Sequence, residues 1–137
     1  MVPEVITRKL DFVRTIRAEL QRFSGASLAE VLAAHLTVER IFVLLVTAAS
    51  DLLRQLLLDR GIVARSPCEA LARAAEIWPL SAGLVERLVK ASEVREMVVH
   101  RYDEIDYDVL RSSIDPALAD FATLIAVLEV DLPAADE

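Results

Sequence analysis

The sequence predicts an all-α fold, an up-and-down helical bundle of four to five helices plus a short C-terminal helix. Three observations carry that prediction. Leu, Ala and Val dominate the 137 residues while aromatics make up only 5%, a composition that favours helices over a β-sandwich. Apolar residues step by three and four along most of the chain, which is the period of an amphipathic helix. Gly, Pro and Ser stand between the stepped stretches as stop and start signals. The length fits one domain around one core, residues 1–137, with 131–137 as a frayed tail.

The elements follow in order. A first helix is expected from Pro3 to about Phe23, with Ile6, Leu10, Val13, Ile16, Leu20 and Phe23 on one stripe. Gly25 ends it, and Ser27 with Glu30 makes a capping box for the next. That second helix is expected to run unbroken from Leu28 to about Arg60. Leu28, Val31, Leu32, His35, Val38, Phe42, Leu45, Ala49, Leu52 and Leu56 form its stripe, widened by Ile41, Val46, Leu53 and Leu57. So wide a stripe predicts contact with both the helix's own bundle and a second subunit. Gly61 stops it, and Ser66, Pro67 and Glu69 start a short helix that ends near Trp78–Pro79. Ser81 caps a fourth through Leu84, Leu88, Ala91, Val94 and Val98. The last helical region begins after Asp106, and Asp115–Pro116 is expected to split it in two.

Mean hydropathy is +0.42 and 55% of residues are hydrophobic, which raises two possibilities, a membrane span or a protein interface. The longest apolar run, Ile41 to Ala49, is shorter than the roughly 18 residues a span needs. Charge also enters within the first residues, unlike a signal peptide. The expectation is therefore no membrane, an oligomer interface and a cytoplasmic protein. A formal net charge of −7 argues against broad, non-specific nucleic-acid binding but leaves room for a local basic cleft. The single cysteine, Cys68, excludes a disulfide framework and a cysteine zinc site.

Few residues carry chemistry. Neither histidine follows a Glu by three positions, so the di-metal helical motif is missing. His35 and Glu39 share a face, yet two groups do not make a metal site, and His35 on the apolar stripe reads as a buried structural histidine. No metal and no cofactor are expected. What remains is "VREMVVHRYDEIDYD", Val94 to Asp108, where Arg95, His100 and Tyr102 fall close together. On a regular helix Arg95 and Tyr102 nearly align, while His100 points about 140° away from Arg95. Either the helix ends near His100, or a symmetry-related copy completes the site. The structural alternative is that arginines and a histidine simply suit a helix C-terminus.

At these residues the sequence resembles the HepT-like branch of the HEPN superfamily. The likeness rests on Arg-x4-His-x-Tyr, met by Arg95, His100 and Tyr102. It rests also on the Val-Val pair before the His, on "YDEIDYDVL" after it and on "HLTVERIFVLLVTAASDLL" in the long second helix. The resemblance implies a HEPN-like homodimer with the motif at the dimer cleft. It implies a metal-independent endoribonuclease, the toxin of a two-gene system. Its antitoxin would be an MNT-type nucleotidyltransferase that adenylylates the motif tyrosine, here Tyr102. The implied roles suit the residue types: an imidazole titrates near neutrality and can move protons, and an arginine can hold phosphate oxygens and offset transition-state charge. The chain departs from the family at Glu96, where Asn or another small polar residue is frequent. Glu96 lies one turn from His100, and its charge repels phosphate. A second reading keeps the fold and drops the catalysis: a binding module that docks the nucleotidyltransferase.

Overall fold

The computed structural model describes residues 3–132, and within them the chain is six α-helices. They are α1 (Pro3–Gln21), α2 (Leu28–Ala33), α3 (His35–Leu58), α4 (Pro67–Ala75), α5 (Ala82–His100) and α6 (Tyr107–Glu129). Three serines open helices where the capping signals predict. The Glu30 N–H donates to Ser27 Oγ at 3.1 Å while the Ser27 N–H donates to a Glu30 carboxylate oxygen at 3.0 Å, closing the capping box. Ser66 Oγ accepts from the Glu69 N–H and Ser81 Oγ from the Leu84 N–H. Each such bond satisfies an orphan donor of the first turn and stabilises the helix by about 1 kcal/mol. At the other end of α3, Gly61 adopts φ +78°. That conformation lets the Gly61 N–H reach Leu58 O and the Ile62 N–H reach Leu57 O, satisfying two terminal carbonyls.

Helix α3 is the central element. It packs along α1 and also against α4 and α5, and α6 closes the bundle against α5 and α1. Phe42, Leu45, Leu52, Leu53 and Leu57 are almost completely buried. The width of the stripe is accounted for within the chain: Ile41, Val46, Leu53 and Leu57, which widen it, are all buried. Contact on three sides by α1, α4 and α5 is the reason. By length and composition α3 could cross a membrane (mean hydropathy 1.8 over its most apolar window), a feature that the apolar-run length misses. Half of that window is buried within the bundle, as for a core helix.

Two expectations are corrected. The helix expected from Leu28 to Arg60 is two helices, because Ala34 leaves the helical basin at φ −118°, ψ 28°. Neither Gly nor Pro sits there; α2 instead turns to pack on α6, burying Val31 and leaving Leu28 and Leu32 exposed. Conversely, α6 is not split. It continues without a break through Pro116. An internal proline costs a helix about 3 kcal/mol or more, and here it is offset by packing on both sides: Leu110, Ile114, Ala117, Leu118 and Phe121 are all buried. Asp115 does not start a new helix. Its carboxylate accepts from Ser24 Oγ at 2.5 Å and from the Gly25 N–H at 3.1 Å, tying α6 to the turn after α1.

Asp131 and Leu132, expected to belong to the frayed tail, are held against the bundle. Asp131 accepts from Arg60 Nη2 (2.6 Å) and from the buried Trp78 indole N–H (2.7 Å), and Leu132 packs on the core. Residues 133–137 lie outside the described residues.

Candidate functional site

Helix α5 ends at His100. Arg101 leaves the helix at φ −125°, ψ 42°, its N–H bonded to Met97 O. Asp106 then starts α6, its side chain accepting from the Asp108 and Val109 N–H groups at 3.1 Å. Residues 101–106 form the tight connection between these two caps. Of the two arrangements left open by the helical angles, the structure contains the first: His100 is the last residue of its helix, and Tyr102 stands beyond it on the turn, 77% exposed.

Arg95 lies a turn and a half earlier, on the side of α5 that faces α3. Its Nε donates to Thr47 Oγ1 on α3 at 2.7 Å, and its Nη1 donates to Glu96 Oε1 at 2.7 Å. The other carboxylate oxygen of Glu96 is 3.1 Å from His100 Nε2. One carboxylate thus holds the arginine and the histidine together, although they sit five residues apart on a helix. The imidazole is open to solvent, with its side chain 67% exposed, and the Arg95 side chain is mostly covered at 26%. Tyr102 makes no hydrogen bond among the described residues. The arrangement offers an oriented guanidinium beside an accessible imidazole, the pair needed to bind an anion and move a proton next to it. Among the described residues, no three His, Cys, Asp or Glu side chains converge on a metal-sized site.

No protein-family model matches the sequence, and no curated protein matches it. Solved structures do. A re-refined structure of a tri-AMPylated HEPN toxin from Shewanella oneidensis, in complex with an MNT antitoxin, superposes with a TM-score of 0.81. That match covers 94% of this chain and 99% of the other at 17% identity. The fold is that of the HEPN toxins. A toxin–antitoxin structure with AMP-PNP matches with TM-score 0.79 over 92% of this chain and 98% of the other. A mutant of the toxin–antitoxin pair MntA–HpeT gives 0.78 over 93% and 98%, both again at 17% identity.

Within this HEPN fold a second polar cluster escaped the sequence reading. Tyr107, the first residue of α6, donates its hydroxyl to Glu39 Oε2 at 2.7 Å. The same carboxylate oxygen is 2.8 Å from His35 Nδ1, and the His35 and Tyr107 rings meet edge to face at 5.6 Å. The bond to Glu39, then burial, then the Glu39 charge push the Tyr107 phenol up to about 12. It stays protonated at any physiological pH and donates to the carboxylate throughout. His35 is not the buried histidine expected from its place on the stripe: its side chain is 43% exposed. The break at Ala34 makes His35 the first residue of α3, at the rim of the bundle. The His35–Glu39 spacing was visible in the sequence, but Tyr107 was not, because the register of α6 against α3 is a tertiary fact. The cluster pins the start of α6, and with it one end of the turn that carries Tyr102.

Proposed function

We propose that this chain is the toxin of a HEPN/MNT toxin–antitoxin pair and acts as a metal-independent endoribonuclease. The observation that carries the reading is the junction of Arg95 and His100 through Glu96, at the end of α5, in a fold shared with HEPN toxins. Cleavage through the 2′-hydroxyl requires that a proton leave the attacking oxygen, that one reach the departing 5′-oxygen, and that the crowded anionic phosphorane be stabilised. His100 takes or delivers a proton, and its exposure lets the RNA reach it. Arg95, aimed by Thr47, holds the phosphate oxygens. The incoming phosphate takes the place of the Glu96 carboxylate on Arg95. In the homodimer, the partner copy supplies a second imidazole, so that one histidine serves as base and the other as acid.

Regulation falls to Tyr102. Its exposed hydroxyl is open to an MNT-type nucleotidyltransferase antitoxin, and an adenylyl group there adds bulk and negative charge where RNA must enter. The purified chain should cleave single-stranded RNA in the presence of EDTA, and His100→Ala should remove that cleavage. Equal cleavage by the variant would sink the reading. When the chain is produced together with its nucleotidyltransferase, intact mass should rise by whole adenylyl units, and Tyr102→Phe should return it to the unmodified value. Mass added equally to the variant would place the modification elsewhere.

One observation favours a second reading, a non-catalytic module that docks the nucleotidyltransferase. Glu96 already occupies both Arg95 and His100 with a charge of the same sign as phosphate. Tight binding of the nucleotidyltransferase with no RNA cleavage at high protein concentration would select it.

A further inference from the structure

The exposed face of α3 forms the floor of a groove of about 690 Å³, walled by α1 on one side and by Arg95 and Glu96 of α5 on the other. Along this floor Thr47, Asp51 and Arg54 recur at helical spacing, so they share one face. Arg95 is bonded to Thr47 at one level of the groove, and Lys9 to Asp51 one turn further on, at 2.5 Å. Arg54 follows about another turn along, on the order of 10 Å from the level of Thr47.

The charge balance of this groove is opposite to that of the chain. The whole protein carries −7, yet the groove lining holds Arg8, Lys9, Arg54 and Arg95 against only Asp51 and Glu96. Both acids are already paired, with Lys9 and Arg95 respectively. Arg8 has no acidic partner among the described residues, and Arg54 spends one N–H on the Ala64 carbonyl, which orients its guanidinium without neutralising it. Between these cations the α1 wall presents Phe12, 47% exposed. Unneutralised guanidiniums spaced along a groove beside an exposed aromatic ring match what a single nucleic-acid strand requires: cations for its phosphates and a flat apolar face for a base. A second copy of this chain fits less well, because an isologous contact through the groove would set its uncompensated positive charge against itself.

We propose that this groove is a second RNA subsite, which takes the single strand flanking the scissile phosphate. Arg8 and Arg54 hold backbone phosphates there, and Phe12 receives a base. The proposal rests on the ribonuclease reading, and it names residues that the Arg-x4-His-x-Tyr motif does not contain. These contacts are made equally in the ground and transition states, so they act on KM rather than on kcat.

The test is steady-state cleavage of a short fluorescein-labelled single-stranded RNA by the full chain and by Arg8→Gln and Arg54→Gln, with folding checked by circular dichroism. Each substitution should raise KM about tenfold while kcat stays within about threefold. In a His100→Ala background, where the RNA is not consumed, each should lower the salt dependence of binding by about 0.7 in log–log slope. Arg8→Glu should weaken binding further than Arg8→Gln. Unchanged KM and unchanged slope, with cleavage intact, would overturn the subsite and leave the ribonuclease reading standing. RNA binding that depends on both arginines without any cleavage would retain the groove and overturn the ribonuclease reading. Variants that change the oligomeric state rather than RNA affinity would make the groove a contact between copies and overturn the subsite.

Discussion

Arg95→Ala should lower metal-free RNA cleavage by about 100- to 1,000-fold, the range seen when one preorganised donor to a transition-state anion is removed. The geometry explains why so much rests on one side chain. Thr47 Oγ1 takes Nε and the Glu96 carboxylate takes Nη1, so the guanidinium is held before any substrate arrives. Nη2 has no partner among the described residues and is free for a phosphate oxygen at once. Once phosphate displaces Glu96, Nη1 joins it and the contact becomes a two-pronged fork. Arg95→Lys should rescue poorly, because an ammonium on a flexible stem offers neither the fork nor the anchoring Nε. Thr47→Val should cost less than Arg95→Ala, since it removes the aim of the guanidinium and keeps its charge. The measurement is kcat/KM on a fixed single-stranded RNA in EDTA. A loss below about tenfold for Arg95→Ala would mean that the arginine is not stabilising the reacting phosphate.

The largest effect on stability should come from Phe42→Ala. Phe42 is fully buried in the first half of α3, the helix on which α1, α4 and α5 all pack. Truncation removes the ring's transfer free energy and leaves a cavity in the packed core, a cost of about 3–5 kcal/mol. For a chain of this size Tm should fall on the order of 10–20 °C. Urea denaturation followed by circular dichroism reads the change directly. Phe12→Ala is the matched control: the same truncation at an exposed position should cost less than about 1 kcal/mol. Equal losses at the two sites would contradict the placement of α3 as the core helix.

How far the sequence could be read is clearest from its local signals. Ser27, Ser66 and Ser81 cap helices as their neighbours predict, because a cap involves residues within three positions of each other. Gly61 ends α3 for the same kind of reason. The contacts among Arg95, Glu96 and His100 are equally local, since the three meet on a single helix and its last turn. The errors share a cause. The break at Ala34 and the continuity through Pro116 both go against local propensity, and in each case long-range packing outweighs it: α2 turning onto α6, and α6 buried on both sides of its proline.

By itself, then, the sequence determined the all-α class, most helix starts and stops, the faces that become core, and the position of the Arg95–His100 motif. These follow from interactions spanning one or two helical turns, which a linear pattern records. Only the tertiary structure decided that the wide stripe of α3 is buried within one chain, that Glu39 and His35 meet Tyr107, and that Arg8 and Arg54 share a groove with Arg95. Each of these depends on the register between helices distant in sequence. That register is set by the fit of whole apolar faces against one another, which the period of a single helix does not encode.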